Sequence, residues 1–170
     1  MIYNNADRGV QLYPDAQQTI VDHNVIDRNG EGLIISGDNG EASNNTDVYG
    51  NVISNAQVRH DVESNWPRGN PVGVGNVVHD NCVWGGREGT IDLSAGGFTA
   101  LNNTIADPRY ANPAKHNYRM AASSPCLRIV GDVAAHVFTP PHAKHHRRVA
   151  RCHRHRHHRV CSRKTVRAVT

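Results

Sequence analysis

Up to Ala106 the apolar residues come in short bursts separated by Gly, Asn, Asp and Pro, and no burst carries a helical period. The phrase Asn24-Val25-Ile26-Asp27 recurs as Asn51-Val52-Ile53-Ser54, Asn76-Val77-Val78-His79 and Asn103-Thr104-Ile105-Ala106, at spacings of 27, 25 and 27 residues. A second Asn follows, at Asn29, Asn55 and Asn81, with Pro108 at the last copy. Between these phrases lies another strand-like phrase: Val10-Gln11-Leu12-Tyr13, Leu33-Ile34-Ile35-Ser36, Val62-Glu63-Ser64-Asn65 and Ile91-Asp92-Leu93-Ser94. A repeat of about 25 residues holding several short strands predicts an all-β chain, a parallel β-helix (solenoid) of about four coils. Leucine-rich repeats share the length but need regular Leu positions, and propeller blades need a longer period. The Asn column has a physical reason. Equivalent residues stack about 4.8 Å apart, so an inward Asn at a turn donates to and accepts from its copies and satisfies turn amides and carbonyls.

Charge divides the chain. Through Asp132 there are nine Lys and Arg against fifteen Asp and Glu, a net of −6; from Val133 to Thr170 there are ten basic residues and no acid, a net of +10. Eight of the 12 His lie in that second part. The reading is therefore a β-helix domain at 1–132 and a disordered His/Arg-rich tail at 133–170. Such a tail binds anionic surfaces without specificity. Nothing in it supports a specific nucleic-acid complex. Cys152 and Cys161, with the His between them, are candidate metal ligands without a recognised spacing. No run of about 18 apolar residues is present to form a transmembrane segment.

The run Tyr3-Asn4-Asn5-Ala6-Asp7-Arg8-Gly9-Val10-Gln11-Leu12-Tyr13-Pro14 resembles bacterial β-helix repeat proteins, and so do Gly69–Val78, Asn81–Gly86 and Ser123–Cys126. The repeat phrases resemble the right-handed parallel β-helix of the pectate-lyase-like superfamily. The resemblance covers about residues 1–130. It implies a right-handed coil and an exported, extracellular or cell-surface protein that binds or degrades polysaccharide or cell-envelope glycan, as a lyase or a hydrolase. The superfamily also holds adhesins and inactive members, so a non-catalytic binding scaffold and a truncated inactive fragment are competing expectations. Met1-Ile2 aligns with Val25-Ile26, so the ladder Asn of that coil would precede residue 1. Further coils and a signal peptide are expected on that side, since no signal follows Met1. Residues 107–132 read as an irregular cap closing at Ser124-Pro125-Cys126. A Cys82–Cys126 disulfide would staple this cap to the last coils, with two buried thiols as the alternative.

Chemistry is sought on the outward columns. If Val10, Leu33, Val62 and Ile91 face inward, then Gln11, Ile34, Glu63 and Asp92 face outward. Glu63 and Asp92 then sit on neighbouring coils, close enough to bind a cation or to serve as the carboxylate pair of a glycosidase. Arg59, His60 and Arg87 complete the catalytic candidates, with Arg59 or Arg87 neutralising negative charge. Ordinary surface ion pairs, Arg59–Glu63 or Arg87–Asp92, are the competing account. Tyr13, Asn65, Trp66 and Arg68 are candidate substrate contacts, Trp66 by stacking on a sugar ring. Asp38 and Glu41, in the loop from Ser36 to Asn45, are weak calcium candidates because the spacing of a calcium loop is missing.

Overall fold

A computed structural model of the chain describes residues 1–134, 149–155 and 158–164. It divides into two units, Met1–Phe138 and Thr139–Thr170.

The first unit is a parallel β-solenoid with three sheets. Sheet 1 stacks β1 (Ile2–Tyr3), β4 (Val25–Asp27), β8 (Val52–Ser54), β11 (Cys82–Trp84) and β14 (Thr104–Ile105). Sheet 2 stacks β2 (Arg8–Leu12), β5 (Glu31–Asp38), β9 (His60–Asn65) and β12 (Gly89–Ile91), with β6 (Glu41–Ala42) folding back antiparallel on the end of β5. Sheet 3 stacks β3 (Ile20–Asp22), β7 (Asp47–Tyr49), β10 (Asn76–His79) and β13 (Phe98–Leu101). Between stacked coils every strand pairing is parallel. The core fills the space between them with Ile26, Leu33, Ile35, Val48, Ile53, Val62, Val78 and Val83. These β-branched and leucine side chains suit a pleated surface buried on its inner side.

Three sharp corners close each coil, and each is a column of left-handed backbone. Asn4, Arg28, Asn55 and Gly85 make the first; Gln18, Asn45, Gly75 and Gly97 the second; His23, Gly50, Asp80 and Asn102 the third. Most are not glycine, so stacking must hold them in a conformation that costs about 1 kcal/mol or more per residue. Gly97 admits no other residue, because a Cβ there would collide with the Trp66 ring.

The Asn ladder is present but uses a different member. It runs Asn24, Asn51, Asn81 and Asn103. The backbone N–H of each donates to the side-chain Oδ1 of the next at 2.9 to 3.0 Å. Each inner Nδ2 also donates to carbonyls: Asn51 to Val21 and Tyr49, Asn81 to Val48 and His79. Asn76 does not belong to this column. It opens β10 in sheet 3, accepts from Thr46 N–H and donates to the Ser43 and Gly97 carbonyls. The segment from Pro67 to Gly75 lengthens that coil, so the step from Asn51 to its true partner is 30 residues rather than 25. The second Asn series also divides: Asn29 accepts from Asn5, whereas Asn55 is a left-handed corner residue.

The segment after β14 does not close the end of the solenoid. β15 (Tyr110–Asn112) and β16 (Asn117–Met120) form an antiparallel pair, followed by a short helix α1 (Leu127–Val130). This segment lies back along the outer face of sheet 1, where Tyr118, Met120, Cys126 and Val130 cover Val25, Val52 and Cys82. It reaches the first coil, with the Tyr118 ring centroid 5.4 Å from that of Tyr3. The cause is in the phrase itself. Its outward positions, Val25, Val52 and Cys82, are as apolar as its inward ones, so sheet 1 needs cover on both faces. Cys82 and Cys126 are disulfide-bonded, which ties the cover to β11. At the far end, Ile105 and Leu101 are about half exposed.

In the second unit, β17 (Val149–His155) pairs antiparallel with β18 (His158–Lys164), placing Cys152 opposite Cys161. Composition alone led to an expectation of disorder here; the metal-ligand reading of the Cys152 and Cys161 side chains lies outside the described residues.

Two stability tests follow. Asn51→Ala removes an acceptor and a donor from a buried corner and is expected to lower unfolding free energy by about 3 kcal/mol, whereas Asn112→Ala, at an exposed 3-10 cap, should change it by under about 1 kcal/mol; urea titration of both variants measures this. The disulfide closes a loop with a sequence separation of 44 residues. Chain entropy gives its removal, as Cys82→Ala with Cys126→Ala, a cost of about 4 kcal/mol, readable as a drop in melting temperature with little change in the solenoid's circular dichroism.

Candidate functional site

The second phrase stacks as the alternation demands. Val10, Leu33, Val62 and Ile91 are in register and inward. Gln11 pairs with Ile34 and Ile34 with Glu63, and Asp92 N–H bonds to Val62 O one coil on. Glu63 and Asp92 are therefore outward neighbours on adjacent coils.

Glu63 is fully buried although its column faces outward. Arg59 and His60, on the turn into β9 and at its first residue, fold over it. Arg59 Nε donates to Glu63 Oε2 at 3.2 Å and stands 3.0 Å from Oε1. His60 Nδ1 lies 2.9 Å from Oε2. Arg59 Nε also approaches Glu31 Oε1 at 3.8 Å, and Arg8 Nε lies 3.0 Å from Glu31 Oε2. Arg8, Glu31 and His60 occupy one register column along the solenoid axis. Burial pushes the Glu31 carboxyl up, against the pull of Arg8. Asp92 is held below the ordinary carboxylate range by the Ser94 N–H and hydroxyl, with His60 and Arg59 adding a smaller effect.

Of the sequence candidates, the fold thus assembles Arg59, His60, Glu63 and Asp92. Arg87 is exposed and makes no ion pair with Asp92 among the described residues. Trp66 is partly buried. Its indole packs against the core beside Gly73 and Gly97, and its N–H donates to Gly96 O at 3.1 Å. Arg68 and Asn65 are exposed. Tyr13 is exposed too, and its hydroxyl donates to Asp38 Oδ2 at 2.7 Å. Asp38 also accepts from Asn39 N–H and Asn70 Nδ2, while Gly40 N–H donates to Asn70 Oδ1. Asp38 is thus engaged as the tie between two loops. It pairs across β5–β6 with exposed Glu41, and among the described residues these two join no third metal-ligating side chain.

Three features escaped the sequence reading. Asp61 is fully buried at the first corner of sheet 2 and accepts from the Ala56 and Gly86 N–H groups at 2.9 and 2.8 Å. Burial pushes its pKa up to about 7 against those two donors. Asp27, buried under the covering segment, accepts from Ser54 and Asn55, and Tyr110 hydroxyl bonds Ser54 in turn. On sheet 3, His79 is clamped between Asp80 at Nδ1 (2.7 Å) and Asp47 at Nε2 (2.8 Å), stacked on Tyr49. The hydrogen bond to Asp80, and then that to Asp47, raises the imidazole pKa. A depression of about 320 Å³, lined by Gly73, Gly75, Asn76, Gly97 and Phe98, belongs to sheet 3 and its corner rather than to the carboxylate face.

Comparison with protein-family models, with curated proteins and with solved structures finds no match for this chain.

Asp61 gives a pH test. Its folded pKa lies above the unfolded value of about 3.9, so the folded state holds its proton longer. Its contribution to stability is complete below about pH 4 and is lost as pH rises through about 7. A carboxyl-carbon NMR titration should place the Asp61 midpoint near 7, and Asp61→Asn should flatten the fall in stability between those limits.

Proposed function

We propose that this protein is a polysaccharide-binding parallel β-helix whose contact surface is the outer face of sheet 2. One observation carries the reading: Gln11, Tyr13 and Asn65 are exposed on the outer face of sheet 2, with half-buried Asp38 and Asn70 bordering it. A ligand with a repeating ring and hydroxyl pattern suits donors and acceptors set about 4.8 Å apart. The Arg59 guanidinium, 43% exposed at the rim, offers a hydrogen-bonding fork to a glycan carrying carboxylates. Export to the cell surface fits such a ligand and belongs to the same proposal.

Binding is favoured over turnover. Glu63 has no exposed surface and is held by Arg59 and His60, so from this position it neither protonates nor attacks a glycosidic oxygen. The enzyme reading rests on the proximity of Glu63 to Asp92, the carboxylate of lowered pKa.

Affinity electrophoresis through gels cast with neutral or uronic-acid polysaccharides tests both. Retardation is expected in a uronate gel, and Tyr13→Ala with Asn65→Ala should weaken binding about tenfold, a loss of about 1.4 kcal/mol. No retardation by any glycan, or retardation unchanged in the variant, overturns the proposal. Asp92→Asn should leave retardation largely intact. Release of reducing ends or unsaturated uronates by the native chain, abolished by Asp92→Asn, would establish the enzyme instead.

A further inference from the structure

His60, Glu63 and Asp92 each offer one ligand atom, and the three atoms lie within 4.8 Å of one another. A further feature distinguishes this group from a patch of surface charge. Glu63 is fully buried, and its Oε1 accepts no hydrogen bond: Arg59 Nε stands 3.0 Å away as an ion pair but directs its N–H to Oε2. An ionised carboxylate accepts at about four lone-pair sites, so Oε1 keeps capacity for a further partner.

We propose that His60, Glu63 and Asp92 bind a first-row divalent transition metal such as Mn²⁺ or Zn²⁺. The imidazole decides the class. Calcium and magnesium take oxygen shells, whereas a mixed nitrogen and carboxylate set suits the first-row ions. The ligands come from β9 and from the residue after β12, one coil apart, so the solenoid's stacking sets their spacing. Asp92 is half-buried, and its carboxylate exchanges a hydrogen bond from Ser94 for the ion. Arg59 is the opposing charge. Its side chain is 43% exposed and already lies near Glu31, so it turns from Glu63 toward Glu31 as the ion enters. With Glu31 and Arg8 included, three carboxylates face two guanidinium groups, leaving one negative charge for the cation to meet. As the ion replaces the His60–Glu63 hydrogen bond, the imidazole proton resides on Nε2. Three protein ligands leave the remaining positions for water or a bound oxygen ligand. The assignment stands without the glycan proposal, since the ion alone is its probe.

The test is titration of the full chain with Mn²⁺, read by paramagnetic loss of amide NMR signals, which separates this site from the His-rich segment of the same chain. Signals of residues 59–64 and 89–94 should vanish by an equimolar addition. Asp92→Asn should raise the concentration needed there at least tenfold, while leaving any loss in residues 142–164 unchanged. Glu63→Gln should act in the same direction, and Asp92→Asn keeps the test valid if burial makes Glu63→Gln unstable. Broadening confined to residues 142–164 overturns the proposal. So does broadening at 59–64 that Asp92→Asn does not shift. Equal protection of the sites by excess Ca²⁺ overturns the nitrogen-bearing class.

Discussion

A coil that turns sharply three times per circuit must aim backbone N–H and C=O groups into its own interior, and each needs a partner there. In this protein the partner is supplied from the neighbouring coil. Asn24, Asn51, Asn81 and Asn103 share their amides along the axis, each fixing the height of the next. The second and first corners use other means: Asn76 reaches the Ser43 and Gly97 carbonyls, and Asp61 takes the Ala56 and Gly86 N–H groups. These contacts set the parallel register, and the register in turn brings Glu63 beside Asp92 and Arg8 in line with Glu31 and His60. The chemistry of the outer face is thus a by-product of how the corners are satisfied.

What the sequence shows and what it hides divide along the same line. Columns spaced by pure strand alternation were legible: the inward Val10, Leu33, Val62 and Ile91, and the outward Glu63 and Asp92, occupy the register their phrases imply. Asn76 was misread because it too precedes two β-branched residues, and the residues from Pro67 to Gly75 make its coil longer than the others. That error removed sheet 3 from view, and with it Asp47, Tyr49 and His79, which meet only when β7 and β10 are correctly paired. The segment after β14 was misplaced for a different reason. Periodicity reports which way a side chain points, not what lies above it. The outward apolar set Val25, Val52 and Cys82 was the available signal that something covers sheet 1.

That cover changes the electrostatics of the sheet beneath. Asp27 would be an ordinary outward carboxylate on an open face; under Tyr110 and Tyr118 it is buried, and burial raises the pKa of Tyr110 well above its usual value. On sheet 2 the outward Ile34 and Glu63 are buried as well, and its charges are managed by pairing, Arg8 and Arg59 with Glu31 and Glu63. One solenoid therefore carries a face covered by aromatic and apolar side chains of its own chain and a face of paired charges.

The steps between ladder asparagines are 27, 30 and 22 residues, yet the ladder distances hardly vary. Contour length and axial rise are uncoupled: extra chain leaves at a corner, as with the β5–β6 hairpin and the stretch from Pro67 to Gly75, and the strands resume where they would have been. A lineage built on this plan can alter or enlarge what protrudes from one circuit while the neighbouring circuits keep their geometry, so surface novelty and scaffold conservation evolve as independent variables.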